Sequence, residues 1–141
     1  MIIKKRIISA VIDVLKSNSE VVQYFKSFNP EIAPEGTSIP HVVYSIVVSS
    51  PNISMDRGYY EDVIIQVDSY SFNYDELNEI SSLIKESFEN SRWIPIDDGF
   101  ISCFIRISDW IKEDPDSRSE SGDVVFRHTL NLSATVSKQR K

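Results

Sequence analysis

Few residues in this sequence could carry chemistry: two histidines, His41 and His128, and a single cysteine, Cys103. Neither histidine has a Cys, Asp or Glu at the spacing of metal ligands. We interpret His128 as a hydrogen-bonded core residue and His41 as a structural residue at a strand entrance. Cys103 lies in the apolar run FISCFIRI and is interpreted as a small buried hydrophobe. One cysteine excludes an intramolecular disulfide.

Other catalytic signatures are also missing from the sequence. The four glycines are isolated, so there is no glycine-rich loop to hold a phosphate, and no G-x-S-x-G motif occurs. Acidic residues cluster at Glu113, Asp114 and Asp116, but Arg118 and serines lie among them. We interpret this cluster as a solvated loop. The sequence therefore predicts a protein that is not an enzyme and uses no metal or cofactor.

Length and charge limit the class of partner. A chain of 141 residues predicts a single domain, 1–141, that can bury a core without disulfides. The formal net charge is -6, whereas gripping nucleic acid requires clustered Lys and Arg. No apolar run approaches the roughly 20 residues that cross a bilayer. We therefore expect a cytoplasmic protein where it is made, with no membrane partner.

The central unit is a strand that leads into a helix over residues 59–89. One strand face is formed by alternate apolar residues, namely Val63, Ile65 and Val67. Asn73 is the predicted N-cap, and Glu76 stands three residues later, which is the spacing of a capping box. The helix then shows an apolar stripe made of Leu77, Ile80, Leu83, Ile84 and Phe88.

Other segments complete the predicted fold. A helix is predicted over 3–16, and Ser19 is predicted to cap a second, short helix. Further strands are predicted over 39–48, 100–110 and 123–136, while 90–99 is a return segment whose Trp93, Ile94 and Ile96 close an edge of the core. The order is α-α-β-β-α-β-β. This predicts a single α+β domain with a four-stranded, mostly antiparallel or mixed sheet and helices on one face.

Alternation also predicts which strand residues face the core. In the third strand, one side is predicted to hold Ile101, Cys103, Ile105 and Ile107. In the last strand, the inward set is predicted to be Val124, Phe126, His128, Leu130, Leu132 and Ala134. Two long connectors, 49–58 and 112–122, separate these strands. Hairpin loops usually have two to five residues, so both connectors exceed what chain reversal requires.

The order of these pieces resembles the tail-completion, or tail-terminator, proteins of tailed bacteriophages. The likeness is carried by AVIDVLKSNSEVVQYF, IPHVVYSIV, VIIQVDSYSFNYDELNEISSLIKESF and FRHTLNLSATV. It implies a structural virion protein in the tail or neck, assembled in the host cytoplasm. It also implies a closed ring, commonly a hexamer, that ends tail-tube polymerisation and contacts the head-side connector or stopper. DNA would pass through the lumen without specific binding.

Two alternatives stay open at this point. One is a head-closure or neck adaptor protein of the same connector region, and the other is a non-viral small α+β binding domain. The long connectors and nearby tyrosines are predicted to contact partners, because tyrosines are common at interfaces. The predicted contact residues are Pro51, Met55, Asp56, Arg57, Tyr59, Tyr60, Glu113, Asp114 and Arg118.

Overall fold

The computed structural model describes residues 2–53, 59–96, 99–114 and 123–138. In chain order the elements are α1 (Ile2–Leu15), α2 (Ser19–Tyr24), β1 (Ser27–Pro30), β2 (His41–Ile53), β3 (Tyr59–Ser71), α3 (Tyr74–Asn90), β4 (Arg92–Ile96), β5 (Gly99–Glu113) and β6 (Phe126–Lys138). None of the helices in these ranges is long and apolar enough to span a membrane.

The strands form one six-stranded mixed sheet in the order β1-β2-β3-β6-β5-β4. Only β1 and β2 are parallel, and the other neighbouring pairs are antiparallel. Residues of all three helices join one face of the sheet in a single hydrophobic core. The predicted fold, an α+β domain with a four-stranded sheet, was wrong, because the sheet has six strands.

The two missed strands are the edges of the sheet. β1 has four residues and β4 has five, which is too short for a period of two to be recognised. β1 ends at Pro30, and β4 lies in the predicted return segment 90–99. Trp93 in β4 has a positive φ of 54°, which breaks the regular alternation of this strand. Ile94 and Ile96 do pack against the core, as predicted.

The central strands are also longer than the sequence indicated. β2 continues to Ile53, so residues 49–53 pair with β3 and do not belong to a connector. The prediction of a ten-residue connector was therefore wrong. The polar stretch containing Pro51 looks like a turn, but the backbone ladder with β3 keeps it extended. Residues 54–58 and 115–122 lie outside the described part of the chain.

Burial confirms the alternation in β3 and most of β6. Val63, Ile65 and Val67 are buried, and so are His128, Leu130, Leu132 and Ala134. At the start of the last strand the prediction fails, because Val124 is exposed and Val125 is fully buried. The strand begins at Phe126 and not at residue 123, so the segment before it does not follow the strand alternation.

In β5 the predicted face was wrong because of two β-bulges. Register shifts occur between Ile101 and Cys103 and between Arg106 and Ser108. A bulge adds one residue to one strand and so reverses which face the following residues occupy. Ile101 and Phe104 are buried, whereas Ile105, opposite Ser133 on the outer face, and Ile107, within the second bulge, are exposed. Cys103 is only half-buried, so its interpretation as a buried residue was also wrong.

Helix α3 begins at the predicted cap. The Asn73 side-chain oxygen accepts a hydrogen bond from the Glu76 backbone N–H at 2.9 Å. Glu76 does not complete a capping box, because the Asn73 N–H donates to the Ser71 hydroxyl and the Glu76 carboxylate accepts from the Tyr24 hydroxyl. For α2 the predicted cap was one residue late. Asn18 and not Ser19 caps this helix, accepting from the Glu20 N–H.

The cap at Asn73 yields a stability prediction. Asn73→Ala should lower the free energy of unfolding by about 1 kcal/mol, because the first turn of α3 loses the acceptor for a backbone N–H. Asn78→Ala is the matched control, since Asn78 is exposed inside the same helix and alanine is the better helix former there. Urea denaturation of both variants measures the difference. Equal losses at both positions would contradict the capping role.

Candidate functional site

The predicted contact residues lie at opposite ends of the sheet. Pro51, Tyr59 and Tyr60 lie at the distal end of the β2–β3 pair, next to the end of β6. At the other end, Glu113 pairs with Phe126. β3 spans about 40 Å between these ends, given the rise per residue of a strand. The structure therefore does not bring these residues into one site. Met55, Asp56, Arg57 and Arg118 lie outside the described residues.

Asp114 differs from the solvated residue that the sequence predicted. It is only 4% exposed, and its backbone N–H donates to the Val125 carbonyl at 2.7 Å. The chain leaving β5 is thus tied to the chain entering β6. Glu113 is exposed, as expected for a contact residue, but its role as one stays a prediction.

A charged cluster lies on the helix side of the sheet, between α3 and β5. Asp109 in β5 accepts a hydrogen bond from the Lys85 amine of α3 at 3.0 Å, and the same oxygen lies 3.3 Å from Nε2 of His128. The Arg106 guanidinium lies 3.7 Å from the other Asp109 oxygen and 3.8 Å from the Glu89 carboxylate. The cluster joins α3, β5 and β6 through charge-assisted hydrogen bonds.

Burial and hydrogen bonds determine the charge states of His128 and Asp109. Burial lowers the pKa of His128 and outweighs the opposing effect of Asp109, so the ring is neutral at pH 7. A carboxylate can only accept, so Nε2 carries the hydrogen and Nδ1 has no partner within the chain. Burial alone raises the pKa of Asp109, but hydrogen bonds from Lys85 and His128 hold that pKa below its ordinary value.

The histidine of this cluster is buried in the core. The His128 ring is 1% exposed, so a substrate cannot reach the nitrogen that a general base would use. The sequence predicted a hydrogen-bonded core histidine at this position, and the contact with Asp109 agrees with that prediction. Among the described residues there is no group of three or more His, Cys, Asp or Glu side chains that could hold a metal ion.

The outer face of the sheet carries polar side chains in cross-strand rows. Each row crosses β2, β3, β6 and β5, and the rows consist of His41, Tyr70, Arg127 and Lys112; of Val43, Asp68, Thr129 and Trp110; and of Ser45, Gln66, Asn131 and Ser108. Within these rows the His41 ring stacks on Tyr70 with 4.7 Å between centroids. The Gln66 amide donates to Asp68 at 2.9 Å, and Asn131 donates to Ser108 at 3.2 Å.

Some polar atoms of these rows have no hydrogen-bond partner within the chain, although they are buried. These atoms are Asp68 Oδ1, Thr129 Oγ1, Arg127 Nε and His41 Nδ1. Burial and the nearby Asp68 raise the pKa of Tyr70, while a hydrogen bond with Arg127 opposes the rise. Since buried polar groups are costly when unpaired, water or a partner has to satisfy these atoms in the assembled protein.

Exposed apolar side chains lie along β5 and the edge strand β4, and one of them, Trp110, is the β5 member of the second row. We call this set the apolar stripe, and it consists of Trp93, Ile105, Ile107 and Trp110, which are 66%, 58%, 55% and 43% exposed. The Trp93 ring also lies 5.2 Å from the Phe100 ring. Large exposed apolar groups in one run mark contact surfaces. Sequence reasoning missed the stripe because Ile105 and Ile107 follow the first β5 bulge.

Comparison with known proteins finds matches among solved structures. No family model and no curated protein matches this chain. Among solved structures, a chain from the virion of a native gene transfer agent particle aligns with a TM-score of 0.58 and 14% sequence identity. The alignment covers 90% of this chain and 91% of that chain. At this identity the likeness establishes a shared fold across nearly the whole domain.

The histidines make stability depend on pH. Burial lowers the pKa of both His128 and His41 below the ordinary value of 6.5, so the unfolded chain takes up protons first as the pH falls. The free energy of unfolding should therefore be fully retained above that pH and decrease below it. Asp109 also makes the protein less stable as the pH falls, but at lower pH. Its pKa is lowered in the fold, so the stability that it contributes is lost as the pH falls below 3.8.

Urea denaturation between about pH 7.5 and 5.5 measures the slope that the histidines contribute. His128→Gln should flatten the slope and keep a hydrogen-bond donor for Asp109. His41→Gln is the matched variant on the outer face. It should remove the part of the pH dependence of stability that His41 contributes. A protein whose stability rises as the pH falls through this range would contradict the assignment of neutral, buried rings.

Proposed function

We propose that this chain is a structural virion protein of the tail-terminator type. In this proposal it forms a closed ring that ends tail-tube polymerisation and joins the tail to the head-side connector. The observation that carries the proposal is the fold likeness to a chain of a virion particle over 90% of this chain. The sequence pattern supports it independently, because it resembles tail terminators through the two N-terminal helices, β2, the β3–α3 unit and β6.

The surface of the domain is suited to assembly. Among the described strands, β1 and β4 each have one unpaired edge at opposite ends of the sheet. The outer face combines the apolar stripe with buried polar atoms that lack partners within the chain. Contact surfaces commonly combine apolar area with polar groups that pair across the interface.

Charge is compatible with a ring around DNA. A formal net charge of -6 disfavours a tight grip on the phosphate backbone, so a duplex could pass through a lumen without being held. The head-closure or neck adaptor is the second candidate. It is favoured by the same virion likeness, since that match does not separate one position in a particle from another.

Particles made without this chain distinguish the two candidates. Deleting the gene should give tails of uncontrolled length in electron micrographs, because nothing stops tube growth, and a second copy of the gene should restore uniform tails. Tails of normal length that stay detached from filled heads would instead identify a neck adaptor. Normal particles in the absence of the chain would reject both roles. Tail-tube and tape-measure genes beside this gene would support the first candidate.

A further inference from the structure

The apolar stripe is accessible because the helices cover the other face of the sheet. Ile105, Ile107 and Trp110 follow one another along β5, and Trp93 extends the stripe onto the edge strand β4. The stripe runs for roughly 30 Å, given the rise per residue of a strand. Soluble monomers rarely leave this many large apolar groups uncovered in one run. A second protein surface is therefore expected to cover it.

The charges beside the stripe are basic. Arg92 pairs with Cys103 near one end of the stripe, and Lys112 follows Trp110 at the other end, and both side chains are exposed. The acidic residues of β5 lie on the helix side of the sheet. Asp109 accepts a hydrogen bond from Lys85 of α3, and Glu113 lies opposite Phe126, whose side chain faces the helices. A partner with an acidic surface would therefore complement this rim.

Such a surface exists on this same chain. Helix α3 buries Leu77, Ile80, Ile84 and Phe88 against the sheet. At 3.6 residues per turn, Asp75, Glu79 and Glu86 fall on the opposite side of the helix, and all of them are exposed. The helix has one basic residue, Lys85, which is already paired with Asp109. Tyr74, at the first turn, does not belong to this acidic side, because its ring packs edge-on against Phe126 at 5.6 Å.

We infer that the apolar stripe of one copy docks on the acidic side of α3 of a second copy. The inference rests on the proposed ring function and names the surfaces that would build the ring. Apolar atoms of the stripe would be covered by the methylene groups of Glu79 and Glu86. The carboxylates at the rim would meet Arg92 and Lys112 of the neighbour.

The two surfaces of this contact lie on different layers of the domain. The stripe lies on the sheet layer and the acidic side of α3 faces away from the sheet, so the two surfaces are on opposite layers of the molecule. A contact between different surfaces leaves each copy with one free stripe and one free helix. Such a heterologous contact continues from copy to copy until a ring closes.

Sedimentation of the purified full-length chain over a range of concentrations tests the apolar half of the contact. The natural chain should form a closed oligomer of defined mass. Replacing both stripe isoleucines (Ile105→Thr and Ile107→Thr) should weaken self-association by roughly tenfold or more, since burial of apolar area is lost while strand propensity is kept. Ile32→Thr is the matched control, because Ile32 is 76% exposed outside both surfaces, and it should leave the oligomer unchanged.

Charge reversal tests the electrostatic half. Reversing the rim with Arg92→Glu and Lys112→Glu should weaken association by roughly tenfold, and reversing the helix with Glu79→Lys and Glu86→Lys should do the same. Combining both pairs should recover most of the lost affinity. Glu20→Lys with Glu35→Lys makes the same change in net charge as the helix reversal, but on exposed residues elsewhere, so this variant should associate like the natural chain.

Clear outcomes would overturn the inference. These are a natural chain that stays monomeric at every concentration, an oligomer unaffected by the stripe substitutions, or charge reversals that fail to rescue one another. In each of these cases the gene deletion would still give tails of uncontrolled length if the proposed function is right. Normal particles from the deletion would reject the proposed function itself, whatever the sedimentation results.

Discussion

The fold depends on the antiparallel pairing of β3 with β6 at the centre of the sheet. Val67 lies opposite Leu130 and Ile65 opposite Leu132, and all of these side chains are fully buried under the helices. A slip of either strand by one residue would turn the buried side chains of that strand to the outer face. Because β3 leads directly into α3, the same register also determines which side of α3 faces the core and which side remains available for contacts.

Charged residues on the buried face are tolerated because they are paired. Asp109 lies at the margin of the core, where Lys85 and the neutral His128 ring contact one of its oxygens. An unpaired carboxylate at this position would be costly, and the pairs recover that cost only when the geometry is fixed. The cluster therefore fixes β5 relative to α3. By fixing β5, it also determines where Ile105 lies on the other side of the sheet.

Local signals in the sequence predicted the elements that local physics determines. The cap at Asn73, the apolar side of α3 and the alternation in β3 each depend on neighbours in sequence, and each matches the structure. The edge strands β1 and β4 are too short to show a period. The face of β5 depends on bulges opposite β6, which are a property of strand pairing. The candidate contact surface was missed for that reason, since Ile105 and Ile107 look like core residues to any alternation rule.

The distribution of charge also bears on the symmetry of self-association. Two copies that met through α3 would bring Asp75, Glu79 and Glu86 of both copies together, and like charges at a contact are repulsive. Two copies that met through the stripe would bring Arg92 and Lys112 of both copies together, which is again unfavourable. Both two-fold contacts are therefore penalised, whereas the contact between unlike surfaces is not. An acidic helix layer and a sheet face with a basic rim thus select the head-to-tail arrangement that a ring requires.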